Sequence, residues 1–202
     1  SLVGSEMCIR DSRIPLFDTL CISFGTAGTG GFGIVNDSMG SYSTYCQVVT
    51  TIFMILFGVN FSAYYLLLTK KFVQAFKFEE VRYYFGIILA AILVIGLNTA
   101  HLFRNLGEAF QQAAFQVGSI ITTTGFSSTD FSQWPSLSKT ILVLLMFVGA
   151  CAGSTGGGIK VSRILILCKA AKKEFQLYLH PNAVKKIKMD EKTIGHDIIR
   201  ST

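Results

Sequence analysis

Charged residues are scarce in this chain of 202 residues: Asp, Glu, Lys and Arg together make up 15% of it, whereas hydrophobic residues make up 50%. A soluble domain carries about a quarter charged residues. Three long runs, at 45–69, 83–103 and 140–159, contain no Asp, Glu, Lys or Arg. Each run matches or exceeds the about 20 residues that a helix needs to cross a bilayer core. The missing charge therefore predicts an integral membrane protein and excludes a soluble domain.

The residues of catalytic and metal sites are also sparse. The chain has three histidines and five cysteines, and the cysteines have no metal-like spacing. No Ser/His/Asp, Cys/His or paired-carboxylate arrangement is present, so the sequence predicts neither an enzyme nor a resident cofactor. The glycines at 28, 30 and 33 match a dinucleotide fingerprint only as text, because the expected strand, helix and acidic residue are missing around them. Residues 153–160 fail as a phosphate-binding loop because Ile159 stands where the lysine belongs.

The net charge of +6 comes from basic residues in particular connections, which does not indicate a nucleic-acid partner. Four Lys or Arg lie at 70–82 between the first two apolar runs, and ten follow Ile159. The connection between the second and third runs has only Arg104 and Lys139. The positive-inside rule then predicts that the loop at 70–82 and the tail face the cytoplasm. Trp134 is expected to be an interfacial anchor on the outer side.

Two loops rich in threonine and glycine, at 26–33 and 121–128, repeat one layout. Each follows a short mixed segment, at 14–25 and 106–120, and each precedes a polar turn and a long apolar run. Aligning Gly125 with Gly31 gives an offset of 125 − 31 = 94 positions. The short segments are predicted to be helices that enter the membrane from outside without crossing it.

The chemistry of these two loops suits a cation. Several backbone carbonyls that point at one axis can replace the water shell of an ion. Glycine reaches the positive-φ conformations that this needs, and the threonine hydroxyl can brace the loop. The C-terminal end of a short helix adds negative partial charge where a cation would rest. The alternative is that both loops are ordinary re-entrant turns without an ion. Because the layout occurs twice, we favour the ion path.

The third apolar run contains a glycine-rich stretch, Gly156-Gly157-Gly158, that predicts a break in its helix. Such a break at membrane depth marks a hinge or a loop that lines a cavity. Lys160 and Arg163, just beyond it, could bind exposed carbonyls or repel cations, or they could simply extend to the cytoplasmic interface.

Residues 1–12, SLVGSEMCIRDS, are typical of a translated cloning adaptor, so we exclude them and expect native sequence from about Arg13. On this interpretation the chain is a fragment.

Three stretches carry a resemblance to a known family: TAGTGGFG at 26–33, ITTTGFSSTDFSQWP at 121–135 and GACAGSTGGGIKVSR at 149–163. With them the chain resembles the TrkH/KtrB/HKT superfamily of potassium transporters, in particular its bacterial TrkH branch. The resemblance implies an all-α integral membrane protein of tandem helix–pore loop–helix units, present here as an incomplete fragment. It implies a pore loop and second helix at 13–69 and a cytoplasmic loop at 70–82. A complete unit with a broken second helix would follow at 83–168, and a cytoplasmic tail at 169–202 would lead to a missing unit.

The resemblance also implies site residues. The carbonyls of a potassium filter would come from Thr29, Gly30, Thr123 and Thr124, supported by Gly28, Gly31, Thr122 and Gly125. An intramembrane gating loop would comprise Gly153, Ser154, Thr155, Gly156, Gly157, Gly158, Lys160 and Arg163.

The function implied by the resemblance is potassium uptake across the bacterial cytoplasmic (inner) membrane, with the filter loops facing outside. It further implies a homodimer and a cytoplasmic TrkA-like RCK nucleotide-binding subunit, with potassium as the only metal. The alternative function is a sodium- or proton-coupled secondary transporter that binds another small solute at its discontinuous helices.

Overall fold

The computed structural model describes residues 15–70 and 78–179, together with two short strands in the tail. The described helices, in chain order, are α1 (Leu16–Ala27), α2 (Thr44–Phe57), α3 (Phe61–Leu68), α4 (Glu79–Thr99), α5 (Leu106–Ile121), α6 (Ser136–Val148) and α7 (Val161–Leu179). Short 3-10 helices lie at Ala100–Leu102 and Phe131–Gln133. The strands β1 (Lys188–Met189) and β2 (Lys192–Thr193) pair antiparallel. The proposed adaptor at 1–12 and part of the loop at 70–82 lie outside the described residues.

Helix α4 is the central span. With the 3-10 turn that follows it, it forms a helical stretch of 24 residues that is long and apolar enough to cross a membrane. One side packs on α5, where the ring of Phe110 lies so close to Gly96 that a side chain there would meet it at 2.5 Å. A small residue at a helix–helix contact is typical of helix packing in membranes. The short helix α5 is thereby held against a spanning helix.

The expectation that residues 45–69 form one continuous span is wrong. Helices α2 and α3 are bent by 92° relative to each other at a three-residue break. Asn60 caps the start of α3, since its Oδ1 accepts a hydrogen bond of 2.8 Å from the Ser62 N–H. The break also gives up helical backbone bonds, and residues from far along the chain replace two of them. Cys151 N donates to the Gly58 carbonyl and Phe61 N to that of Gly153, both at 3.1 Å.

The third apolar run is interrupted between Val148, where α6 ends, and Val161, where α7 begins. Among the described residues, only α4 with its 3-10 turn passes as an unbroken span, and α2 with α3 adds a second if a bent pair is counted. Trp134 also differs from expectation, because it is 4% exposed and packs edge-on against Phe103, with ring centroids 6.5 Å apart. The ring of Phe103, which follows the 3-10 turn after α4, covers the ring of Trp134.

Candidate functional site

The first Thr/Gly loop begins directly where α1 ends. The N–H of Gly28 donates to the carbonyl of Phe24 at 2.9 Å, and that of Gly30 to the carbonyl of Gly25 at 2.8 Å. Thr29 has a φ of 50° and Gly31 a φ of 66°. The backbone therefore passes through the left-handed region at every second residue, which turns successive peptide units in a way that a helix or strand does not.

The second loop has the same backbone pattern. Thr123 has a φ of 57° and Gly125 a φ of 88°. These positions are 123 − 29 = 94 and 125 − 31 = 94 residues after their counterparts, the offset at which the two loops align. A β-branched residue in the left-handed region is strained by about 1–3 kcal/mol. The same strained threonine thus occurs once in each loop.

The two loops lie against each other. A side chain at Gly31 would overlap the carbonyl oxygen of Thr124, so only glycine permits this approach. Beyond the loops, Met39 N donates to the Ser127 carbonyl at 2.8 Å, and Ser127 N donates to Ser38 Oγ at 3.1 Å. The structure therefore brings the two predicted filter segments into direct contact.

Within the second loop, threonine hydroxyls fix the turn. Thr122 Oγ1 lies 2.7 Å from both the Gly118 carbonyl and Thr124 Oγ1, and Thr122 and Thr124 are fully or nearly buried. Thr124 N donates to the Ser119 carbonyl at 2.9 Å. Gly125 in contrast is exposed, and an added Cβ there would meet nothing within 4 Å.

A glutamine network holds helix α5, which leads into the second loop, in place. Gln47 of α2 donates through Nε2 to the carbonyls of Met39 and Tyr42, at 3.0 and 3.3 Å. Its Oε1 accepts from the side chains of Gln111 and Gln112 of α5, at 3.1 and 3.3 Å. The polar residues that make α5 unsuited to spanning a membrane therefore bond the helix to its neighbours.

The segment 149–160 forms a closed loop between α6 and α7. Gly149 and Gly158 both have positive φ, at 71° and 82°, and their backbones cross so closely that a Cβ on Gly158 would lie 2.6 Å from the Cα of Gly149. The N–H groups of Ile159 and Lys160 donate back to the carbonyls of Phe147 and Val148 at the end of α6. The loop thus starts and finishes at the C-terminal end of α6.

This closed loop touches both Thr/Gly loops through the two strained threonines. Thr29 Oγ1 lies 3.1 Å from the carbonyl of Thr155 and 2.8 Å from that of Gly28, so its one proton is shared between them. Thr123 Oγ1 accepts from the N–H of Gly157 at 2.6 Å. The backbone of Gly156 lies against the Thr122 carbonyl. The structure therefore brings together all three segments that carry the sequence resemblance.

A family model for TrkH, described as a cation transport protein, matches residues 3–202 of the chain. The chain belongs to the TrkH family. The matched range includes residues 3–12, which are part of the segment set apart above as an adaptor.

Relatives and a solved structure agree with this membership. The chain is 33% identical over 205 residues to the Trk system potassium uptake protein TrkH of Salmonella typhimurium, covering 98% of the chain and 42% of that protein. It is 32% identical over 206 residues to the Trk system potassium uptake protein TrkG of Escherichia coli K12, covering 100% of the chain and 42% of that protein. The crystal structure of the potassium transporter TrkH from Vibrio parahaemolyticus matches with a TM-score of 0.92 and 32% identity, over 99% of this chain and 44% of that one. The chain thus spans less than half the length of these relatives. The helical membrane fold, present in part, is confirmed, and the two-residue strands β1 and β2 in the tail are the exception to an all-α chain among the described residues.

The two basic residues predicted to belong to a gating loop differ in placement. Lys160 has a φ of 81° and donates through Nζ to the Gly156 carbonyl, so its charge is held within the closed loop. Arg163 lies in the first turn of α7 and is exposed. Its side chain makes no hydrogen bond or ion pair with the residues that the structure describes, and it lies outside the loop.

The sequence interpretation missed Glu80, which lies in the first turn of α4 and is 3% exposed. Its Oε1 accepts from Ala152 N at 2.6 Å and from Ser162 N at 3.2 Å, and its Oε2 from Asn60 Nδ2 at 3.4 Å. The only signal in the sequence is an acidic pair at the start of an apolar run. That signal does not tell Glu80 from Glu79, which instead pairs with Lys169 of α7.

Two groups in the connections outside the helices have shifted pKa values. Burial and the hydrogen bond from its hydroxyl to Asp18 raise the pKa of Tyr42 to about 12. The side-chain and backbone hydrogen bonds of Ser132 lower the pKa of Asp130. In the described ranges, 15–70 and 78–179, His, Cys, Asp and Glu form no group that could hold a metal ion.

Proposed function

We propose that the chain forms part of a potassium uptake path, in which the carbonyls of Thr29, Gly30, Thr123 and Thr124 replace the water shell of the ion. The observation that carries this proposal is the repeated left-handed backbone in two loops that lie in direct contact. The C-terminal ends of α1 and α5 adjoin these loops and add negative partial charge there. The relatives named above, each described as a potassium uptake protein or transporter, support potassium as the ion.

We further propose that the closed loop 149–160 is a gate below this path. Its hydrogen bonds to Thr29 and Thr123 support this role, since any movement of the loop has to break them. The charge on Lys160 would oppose a passing cation while the loop stays closed. Arg163, at the start of α7, would act only on ions that have already passed the loop.

The setting that we propose is the bacterial inner membrane, with the Thr/Gly loops facing outside and α7 extending to the cytoplasm. The path carries ions without catalysing a reaction and needs no cofactor. A homodimer and a TrkA-like RCK subunit on the cytoplasmic side complete the assembly. The lysines of α7 at 169, 172 and 173 lie on the side where that subunit would bind.

The test is to introduce Gly31→Asp and Gly125→Asp separately into the full-length protein and to measure rubidium uptake and growth on low potassium. We expect both variants to abolish uptake, because a carboxylate and a forced change of φ disturb the oxygens around the ion. Gly107→Asp is the matched control, because a side chain at Gly107 meets nothing within 4 Å and an acid suits the start of α5. Normal uptake with Gly31→Asp or Gly125→Asp would remove the filter assignment. Uptake of another solute that these variants leave intact would favour a secondary transporter.

A further inference from the structure

Glu80 joins three parts of the structure that are distant in sequence. Its carboxylate accepts hydrogen bonds from Ala152 in the closed loop, from Ser162 in the first turn of α7 and from Asn60 at the bend between α2 and α3. The first two donors lie on either side of the glycine-rich stretch of the loop. A single side chain therefore fixes the two ends of the loop to the start of the spanning helix α4.

The burial of Glu80 makes these contacts necessary. A carboxylate that is 3% exposed is very unfavourable unless hydrogen bonds replace its hydration. An ionised carboxylate only accepts hydrogen bonds and has room for about four donors. Three N–H groups reach it here, and two of them belong to the backbone. Backbone donors cannot be supplied unless the loop lies in its observed position, so the charge and the loop conformation depend on each other.

We propose that Glu80 is the positioning residue that holds the loop 149–160 closed beneath the two Thr/Gly loops. This inference rests on the proposed function for its transport readout, whereas its structural readout is independent of it. When Glu80 is replaced, the loop loses its anchor at both ends and spends more time away from Thr29 and Thr123.

The chain contains a native reporter of this position. Cys151 precedes Ala152, is fully buried, and donates its N–H to the Gly58 carbonyl at 3.1 Å. A water-soluble thiol reagent reaches Cys151 only when the loop moves. Cys46 of α2 is also fully buried but belongs to a different hydrophobic cluster, which contains Ile22 and Phe115. The ratio of Cys151 to Cys46 modification therefore separates loop release from general unfolding.

The experiment compares Glu80→Ala, Glu80→Gln and the wild type in the full-length protein. Peptide mass spectrometry measures the modification of each cysteine, and rubidium and sodium uptake are measured in parallel. Glu79→Ala is the matched control, because Glu79 occupies the same helical turn and pairs with Lys169. It should leave the Cys151 to Cys46 ratio within about twofold of wild type, as expected for a partly exposed ion pair.

We expect Glu80→Ala to raise the Cys151 to Cys46 ratio about tenfold or more, because it removes several hydrogen bonds to a charged acceptor. Rubidium uptake should rise while the preference for rubidium over sodium stays unchanged. Glu80→Gln should give a smaller increase, about threefold, because its carbonyl keeps the two backbone donors and loses only the contact with Asn60.

A Cys151 to Cys46 ratio that stays at the wild-type value in both Glu80 variants would overturn the proposal. If Glu80→Ala unfolds, both cysteines react together, and Glu80→Gln then decides the outcome. An altered ion preference with an unchanged ratio would also count against a positioning role. Should Gly125→Asp leave uptake normal, the filter assignment fails, and the Cys151 ratio still tests the anchor.

Discussion

At the scale of single residues, Thr29 and Thr123 carry the connection between the two Thr/Gly loops and the closed loop. Both have a conformation that β-branched residues avoid, and both direct a hydroxyl to the backbone of residues 155–157. Strain of this kind persists only where surrounding contacts determine the conformation. The hydroxyls are therefore expected to control how firmly the closed loop is held, separately from the carbonyls of the same residues.

The variants Thr29→Val and Thr123→Val test this expectation. Valine keeps the shape and the β-branch but cannot hydrogen-bond, and each lost bond is worth about 0.5–1.5 kcal/mol. We expect each substitution to speed rubidium uptake severalfold and the double variant to exceed either, with the preference over sodium unchanged. Initial rates of rubidium and sodium uptake in vesicles measure this. Thr140→Val is the matched control, because its hydroxyl bonds only the carbonyl of Ser136 in its own helix. A changed preference at an unchanged rate would assign the hydroxyls to the ion instead.

The sequence predicted some of the residues of the candidate site and missed others. The Thr/Gly loops were predictable, because threonine and glycine between a short helix and an apolar run are typical of a re-entrant loop. Gly31 and Gly125 could be aligned from the repeated layout around them, although few letters match, and their backbones do share positive φ. Glu80 could not be separated from Glu79, because its burial depends on Ala152 and Ser162, more than 70 residues away.

At the scale of helices and loops, local pattern predicted α5 well and failed at the bend between α2 and α3. Helix α5 was expected at 106–120 and runs from Leu106 to Ile121, because its polar and apolar residues alternate with a helical period. No proline stands at the bend, and the run 45–69 contains no charged residue that would mark it. It is stable because Cys151 and Gly153 of the closed loop satisfy the freed backbone groups. That partner becomes known only once the fold is known.

The variant Gln47→Leu tests how much the glutamine network contributes at this scale. It removes two bonds to backbone carbonyls and leaves the amides of Gln111 and Gln112 without their shared acceptor. Leaving buried donors unpaired costs about 1–3 kcal/mol, so we expect a clearly lower midpoint of thermal unfolding in detergent. Gln133→Leu, the same change at an exposed position in a 3-10 turn, should leave the midpoint unchanged. Equal midpoints for the two variants would show that packing alone holds α5.

At the scale of the whole molecule, the two ends of α4 contact different helices and so define two opposite sides of the structure. At its start, Glu79 pairs with Lys169 and so holds α7 there. Near its far end, Asn98 donates to Ser138 at the start of α6 at 2.9 Å. With 21 residues, α4 itself is about 32 Å long, close to the thickness of a bilayer core. The start of α6 and the part of α7 around Lys169 are thus separated by the length of one span.

This separation gives the orientation a direct test. The basic residues lie on the α7 side, so the positive-inside rule predicts that α7 extends to the cytoplasm and that the connection with Asp130, just before α6, faces outside. We expect a membrane-impermeant maleimide to label Asp130→Cys on intact cells, and to label Lys172→Cys only after the membrane is permeabilised. Peptide mass spectrometry identifies the labelled site, and full labelling of both after permeabilisation is the control. The opposite pattern would invert the proposed direction of transport. Labelling of both cysteines on intact cells would contradict α4 as a span, because the two sites would then share one side.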